Sequence, residues 1–431
     1  MGIFFGTDGV RGRVGVELTS ELACKLGKSL AMLKHNAKII IAKDTRESCD
    51  LLLLSFCSGA VSMGADVISV GIAPTPCVSY LVKECFFDFG VVISASHNEA
   101  KYNGIKIFSK SGQKIDEKIE DIIEKNLFTT QQVLKYGAFE ENTYLIELYK
   151  QHLKSICNQK INLKIVLDCS NGAAFKIAPA VFETLGAEVT TIAVSPNGKN
   201  INDNCGALFT HCLQKKVVEV GADVGFAYDG DADRVIAVTK TGNVVDGDQF
   251  LFVVAKVLQQ EKRLLGNKIV ATVMTNSKIE EELSQRGIEL LRSKVGDKYV
   301  IENMNKENLV LGGEQAGHII IKDYCESGDG ILSSIYLAGL ITKYGLNLDD
   351  ELCKNLYPQE EQSVVVQDKE RVLNNEKLKR AQTTATENSQ IKRVLVRASG
   401  TEPKIRVMVE GFDKYIVKET MRQLLLIIND I

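Results

Sequence analysis

One pattern recurs three times along this chain: an apolar run, a polar turn, an amphipathic stretch, a glycine and a second apolar run. The first copy is residues 37–43 (AKIIIAK), Asp44-Thr45-Arg46, a helical stretch near 51–63, and a run from Gly64 to residue 70. The second is residues 163–167, the turn DCSNG from Asp168, a helical stretch near 176–185, and a run opened by Gly186. The third is residues 268–274, Thr275-Asn276-Ser277, a helical stretch near 279–285, and a run opened by Gly287. Continuous apolar strands joined by helices require right-handed crossovers and a parallel sheet covered on both faces. The glycine suits a left-handed residue after each helix. The copies lie about 100 residues apart, too far for the units of a solenoid. They predict three similar α/β domains with mixed, largely parallel sheets.

The last ~75 residues read differently. Residues 368–393 are polar, with a helical pattern around Val372, Leu373 and Leu378. A strand at 394–396, a Gly/Pro loop, a strand at 405–409 and an amphipathic helix at 415–428 follow, predicting a small α+β domain. The expected domains are 1–152, 153–247, 248–355 and 356–431. Of the 431 residues, 52 are Lys or Arg and 55 are Asp or Glu, a net charge of −3. That balance offers no basic field for nucleic acid, and no Lys/Arg-rich block is present. No apolar run approaches the ~18–20 residues of a bilayer span, and the N-terminus lacks a signal-peptide pattern, so no membrane is expected. The eleven cysteines include no C-x-x-C pair, and Cys57 and Cys169 sit in apolar segments. Free thiols in a reducing cytoplasm are the expectation. The five histidines form no H-x-x-x-H pair, which argues against a His-rich zinc site.

Residues 229–234 (DGDADR) follow a strand-like run at 222–228. Alternating carboxylates on an extended segment project to one side. Crowded carboxylates repel unless a cation sits between them, and hard oxygen ligands favour Mg²⁺ or Ca²⁺. An EF-hand is excluded, because its Gly and Glu positions hold Arg234 and Lys240. The other reading is a solvated acidic turn; its place at a strand's C-terminal end favours metal. Ser96 in SASHN (94–98) follows the apolar run 90–93. A serine there is either a nucleophile or phosphoryl carrier, or an ordinary turn residue. Lys106 in NGIK (103–106) is placed to return toward the same pocket, or to lie on the surface. RASGTEP (397–403) joins an arginine fork to hydroxyls and a Gly-enabled run of N–H groups; it suits phosphate, or is a hairpin loop. GGEQAGH (312–318) suits a hydroxyl-reading loop or a Gly-rich turn. FGTDGVRG (5–12) reads as a ligand-facing loop without the strand-first context of a dinucleotide fingerprint. A hydroxyl, a metal cluster, a sugar-reading loop and a phosphate cradle in successive domains suit one central cleft that handles a phosphorylated, polyhydroxylated molecule.

The set FFGTDGVRG, SASHN with NGIK, DGDADR, GGEQAGH and RASGTEP, in this order, resembles the α-D-phosphohexomutase superfamily from end to end. Within it the chain is most similar to the bacterial glucosamine-phosphate mutases, through GTDGVRG, GEQ, LDCSNGAA (167–174) and NINDNCG (200–206). The resemblance implies three related α/β domains and a C-terminal phosphate-binding domain around a cleft. It implies an isomerase interconverting glucosamine 6- and 1-phosphates through a phosphoserine and a hexose 1,6-bisphosphate intermediate or primer, supplying UDP-N-acetylglucosamine for the cell wall. It implies Ser96 as the phosphoserine and Mg²⁺ held by Asp229, Asp231, Asp233 and the Ser96 phosphate. Arg11 and Lys106 match positions at the reacting phosphate, with Lys106 or a neighbour as proton shuttle; Arg234 braces the site and His97 assists it. Lys294, Gly296 and Asp297 match a substrate-facing loop of the third domain, and Glu314 and Ala316 the sugar loop. Arg397, Ser399, Gly400, Thr401 and Arg406 match the grip on the non-reacting phosphate. The implied partner is a small sugar phosphate, in a monomer or homodimer.

The chain departs from the superfamily pattern in three places. Glu99 stands where proline usually follows SHN, with Lys101 and Tyr102 altering the same loop. Ala316 replaces a serine in the sugar loop, and CGALF replaces CGSTH. The alternatives are a mutase acting on glucose or mannose phosphates, a Mg²⁺-dependent phosphatase or phosphoryl-transfer enzyme that uses an aspartate nucleophile, or a non-catalytic sugar-phosphate sensor.

Overall fold

The computed structural model describes residues 4–6, 8–129, 135–399 and 404–431. The chain divides into two compact units: residues 1–273 with 290–352, and residues 274–289 with 353–431. The larger unit contains the first two repeats and most of the strand residues of the third, whose turn and helix fall in the stretch 274–289 of the smaller unit. The first repeat forms a seven-stranded sheet in the order Phe5–Gly6, Gly9–Arg13, Tyr102–Ser109, Phe89–Ile93, Lys38–Lys43, Asp66–Ile72, Phe139–Glu141. Lys38–Lys43 pairs in parallel with both neighbours, as the apolar runs require. Tyr102–Ser109 instead turns back antiparallel on Phe89–Ile93 and carries Gly9–Arg13 at its other edge. That reversal brings NGIK beside the strand that ends at SASHN.

The helices Ser20–Met32 and Cys49–Ser62 cross unusually closely on this sheet. A Cβ at Gly27 would lie 2.0 Å from the Phe56 carbonyl oxygen, and one at Gly59 would lie 2.0 Å from that of Cys24. Only hydrogen in those places lets the backbones meet. Their apolar faces bury Leu26, Leu30, Leu52, Phe56 and Cys57 against Ile39 and Ile41. Cys57 and Cys169 are buried and every cysteine is a free thiol, matching their reading as small hydrophobes.

In the second sheet Val224–Tyr228 pairs in parallel with Lys164–Asp168 and antiparallel with Val235–Thr239. The DGDADR loop is therefore the tip of a hairpin at the C-terminal end of a parallel strand, where α/β folds place ligands. The third sheet has the order Glu289–Ser293, Lys268–Thr272, Leu311–Gly313, Ile319–Ile321, and its last hairpin carries the Glu314–His318 turn. All three predicted cap glycines, Gly64, Gly186 and Gly287, have positive φ (87°, 96° and 71°). No described helix is long and apolar enough to cross a membrane.

The smaller unit is α+β, as expected. Lys404–Gly411 lies between Gln359–Val365 and Ile391–Ala398 in an antiparallel sheet. Helix Lys414–Asn429, N-capped by Asp413, buries Val417, Met421, Leu424 and Ile428 against Ile405, Val407 and Val409.

One buried carboxyl in the larger unit carries a pH prediction. Asp329 caps helix Gly330–Tyr344 by accepting from Leu332 N and also accepts from the Tyr149 hydroxyl at 2.9 Å. Burial pushes its carboxyl up to about 7. An unfolded Asp titrates near ~3.9, so the folded state holds the extra proton between about pH 4 and 7. The neutral carboxyl's stabilisation is thus complete below about pH 4 and lost as pH rises through about 7. Asp329→Asn keeps the cap without the charge. Its unfolding midpoint is expected to match the parent at or below about pH 4 and to exceed it at pH 8, by roughly 1–3 kcal/mol of stability. A constant gap across that range, measured by thermal unfolding, would refute the assignment.

Candidate active site

Ser96 begins the site. It follows strand Phe89–Ile93, is 1% exposed, and adopts a left-handed backbone with φ 53°, rare for a residue with a Cβ. Its hydroxyl donates to Asp229 Oδ2 at 2.5 Å and lies 3.3 Å from His97 Nδ1. The first and second sheets therefore meet at this contact.

The three carboxylates converge, but not by strand alternation. Residues 229–234 form a turn rather than an extended segment, with Ala232 at φ 56° and its N–H donating to the Asp229 carbonyl at 3.0 Å. Gly230 permits this turn to press on the serine loop, since a Cβ there would lie 2.5 Å from the Ser96 carbonyl oxygen. Oxygens of Asp229, Asp231 and Asp233 all lie within 4.8 Å of one another, and the three side chains are buried. Burial and the two neighbouring carboxylates push Asp229 well above the usual carboxylate range. Burial also acts to raise Asp233, but Lys106, His318 and Arg234 hold it well below that range.

Lys106, 1% exposed, reaches Asp231 at 2.7 Å, Asp233 at 3.0 Å and Asp8 at 3.2 Å. Burial disfavours its charge, yet Asp231, Asp233 and Asp8 outweigh that and hold the ammonium well above its ordinary value. One ammonium does not saturate the cluster. Asp231 Oδ1 and Asp233 Oδ1 are buried without a hydrogen-bond partner. Buried hard oxygens with unmet acceptor capacity fit a divalent cation such as Mg²⁺.

Arg11 donates to the Ala95 carbonyl at 3.3 Å and pairs with Asp8. Arg234 N donates to Asp229 Oδ1 at 3.2 Å. His97 is held neutral, its pKa lowered to about 2 by Arg234, by burial and by Arg11. Glu314 is buried, and burial raises its carboxyl. Asp297 opens helix Asp297–Glu307, pairs with Lys114 at 2.5 Å and lies 3.7 Å from His318 Nε2. Gly296 precedes it with φ 123°, while Lys294 is exposed and stacks its ammonium 5.4 Å over the Tyr299 ring. Ala316 is exposed at the tip of its turn, and Glu99 and Lys101 form an outward ion pair at 2.6 Å.

In the smaller unit Arg397 and Arg406 face each other across adjacent strands. Arg406 Nη1 also lies 3.9 Å from Glu361 Oε1, which offsets part of this like charge. Ser399 is buried, its N–H donating to the Lys404 carbonyl at 2.8 Å. Gly400 and Thr401 lie outside the described residues.

Four residues escaped the sequence reading. Thr75 donates its backbone N–H to the Asp231 carbonyl at 2.9 Å and its hydroxyl to the Asp231 side chain. Asp8 gathers Arg11, Lys106 and Lys114, which hold its carboxyl well below the usual range against the opposing effect of burial. Lys114 bridges Asp8 to Asp297. His318 stands between Asp233 and Asp297 and accepts from Gly328 N–H at 3.1 Å. Asp8 and His318 lie inside quoted motifs; Thr75 and Lys114 carry no local signal.

Four family models for phosphoglucomutase/phosphomannomutase match in order: α/β/α domain I over residues 2–134, domain II over 142–242, domain III over 246–359 and the C-terminal domain over 361–427. A phosphoglucosamine mutase of Carboxydothermus hydrogenoformans is 42% identical over 442 aligned residues, covering 100% of both chains. One from Caldicellulosiruptor bescii is 45% identical, covering 97% of each. The chain belongs to this family. It is a phosphohexomutase, an isomerase. The fold agrees with a solved phosphoglucomutase/phosphomannomutase family protein from Burkholderia thailandensis, with TM-score 0.81 at 22% identity, covering 99% of this chain and 97% of that one.

Proposed function

We propose that this phosphohexomutase interconverts glucosamine 6-phosphate and glucosamine 1-phosphate through a phosphorylated Ser96. The observation that carries the chemistry is the buried Ser96 hydroxyl 2.5 Å from Asp229, within a carboxylate cluster that also holds Lys106. The end-to-end identity with phosphoglucosamine mutases supports the amino sugar. A sugar hydroxyl attacks the phosphoryl group on Ser96. The P–Oγ bond breaks as the new P–O bond forms, the sugar hydroxyl gives up its proton as Ser96 Oγ gains one, and a 1,6-bisphosphate results. After that intermediate turns over, its other phosphoryl group returns to Ser96 by the reverse chemistry.

This chain's residues supply the setting. Asp229, Asp231 and Asp233, with the Ser96 phosphate, would hold Mg²⁺, which when bound offsets negative charge on the transferring group. Arg11 and Lys106 add positive charge there, and Lys106 Nζ, held as the ammonium, is the candidate to deliver a proton to the departing Ser96 Oγ. Arg234 braces the carboxylates, and His97 lies beside the serine hydroxyl. Lys294, Gly296, Asp297, Glu314 and Ala316 form the proposed sugar-facing set. Glu314 accepts from sugar hydroxyls. Arg397, Ser399, Gly400, Thr401 and Arg406 grip the phosphate that does not react. Burial of the serine limits its loss to water.

Rates on glucosamine, glucose and mannose 6-phosphates test the substrate. Glucosamine 6-phosphate is expected to lead by about 10-fold or more in kcat/KM, because a group that hydrogen-bonds only one substrate discriminates strongly. A lead for glucose or mannose would assign the alternative substrate. Phosphosite mapping of the intact protein tests the phosphatase reading, which requires phosphate on an aspartate of the cluster instead of Ser96.

A further inference from the structure

The turn after the first strand of the first repeat, Asp44-Thr45-Arg46, has no part in the chemistry above, yet its arginine is wholly enclosed. The side chains of Arg46 and Asp44 are both 0% exposed. Nε donates to Asp44 Oδ2 at 2.9 Å. Nη1 donates to the carbonyls of Glu99 at 2.5 Å and Tyr102 at 3.0 Å. Nη2 donates to the carbonyls of Ser96 at 3.0 Å and Asn98 at 2.8 Å. A guanidinium has five N–H donors, and here five acceptors meet them. Four of the five are backbone carbonyls of the segment that carries Ser96.

The same pair reaches the other side of the serine. Ser94, the first serine of SASHN, donates its hydroxyl to Asp44 Oδ2 at 2.6 Å and accepts from Ser96 N–H at 3.0 Å. Asn202, from the second repeat, adds donors to the carbonyls of Ser96 at 2.9 Å and Asn98 at 3.1 Å. Both backbone polar groups of Ser96 are thus held. A left-handed non-glycine residue is unfavourable and persists only where its surroundings over-determine it. A buried charge is tolerated when every donor is satisfied, and the planar fork of arginine, unlike lysine's point charge, matches several fixed carbonyls at once.

We propose that Arg46, seated by Asp44 and assisted by Ser94, is a positioning residue that holds Ser96 in its left-handed conformation with Oγ aimed at the carboxylate cluster for phosphoryl transfer. This rests on the reading of Ser96 as the phosphorylated residue. The fork acts on the serine backbone and touches no substrate atom. Its loss therefore misaims the transferred group without altering the sugar's own contacts.

The test compares the parent with Arg46→Lys and Ser94→Ala, each phosphorylated with a hexose 1,6-bisphosphate and assayed per phosphorylated protein counted by intact mass. For Arg46→Lys, kcat is expected to fall about 100-fold with KM within a few-fold, since a misplacement of ~1 Å has that cost in rate. Loss of phosphate to water is expected to become a larger fraction of turnover. A merely structural arginine would lower the melting temperature and the yield but leave kcat per phosphorylated molecule unchanged, and that result overturns the proposal. If Arg46→Lys does not fold, Ser94→Ala decides. It keeps the Arg46–Asp44 pair and releases the Ser96 N–H, so kcat is expected to fall about 10-fold at constant KM. Unchanged kcat in that variant overturns the proposal as well. Absence of phosphate from Ser96 in the parent overturns the phosphoserine reading itself, an outcome distinct from either variant result.

Discussion

Ser96→Ala is expected to lower mutase turnover by on the order of 10⁴-fold or more, the scale of removing a nucleophile that no neighbour replaces. Folding should survive. The substitution removes one hydroxyl and its hydrogen bond to Asp229, while the Ser96 N–H and carbonyl keep their partners. A midpoint within a few degrees of the parent is therefore expected, corresponding to about 1 kcal/mol or less. Coupled assays of product formation, with intact mass to confirm the absence of phosphate, measure both halves. Near-normal turnover would remove the serine from the mechanism.

Lys106→Met is the second large effect, and it reaches both stability and rate. The ammonium is enclosed and faces Asp231, Asp233 and Asp8. Removing one partner of a buried charge set leaves the others uncompensated, which costs roughly 3–5 kcal/mol. Turnover is expected to fall by on the order of 10³-fold, because positive charge near the transferring phosphoryl group and the candidate proton shuttle are lost together. The same logic gives a readout that does not need activity. With the ammonium gone, the carboxylates depend more on an external cation, so added Mg²⁺ should raise the melting temperature of Lys106→Met more steeply than that of the parent. Equal slopes would show that the lysine and the cation site are independent.

The extent to which the site could be read from the chain follows the range of the forces involved. Strands, helices and cap glycines were legible because they depend on neighbours a few residues away. Runs such as 37–43 and 163–167 fall within a residue or so of Lys38–Lys43 and Lys164–Asp168. Asp229, Asp231 and Asp233 do converge, but not by the alternation along an extended segment that their spacing predicts. A hairpin turn with Ala232 left-handed brings them together, and tight turns depend on packing beyond the local pattern. Thr75 and Lys114 were invisible because a lone threonine or lysine acquires meaning only from what folds against it.

The order of chemical groups along the polypeptide was already determined by the residues themselves: a hydroxyl after one parallel strand, three carboxylates after another, an arginine fork in the tail. Backbone periodicity and charge act locally, so a linear string suffices to express them. Which of those groups touch was decided only by the tertiary structure. The Ser96–Asp229 contact spans 133 positions and the Lys106–Asp231 pair spans 125. The arginine that braces the serine loop lies 50 positions before it. Such meetings arise from how the sheets stack and where their crossovers return the chain, and no short-range pattern encodes that.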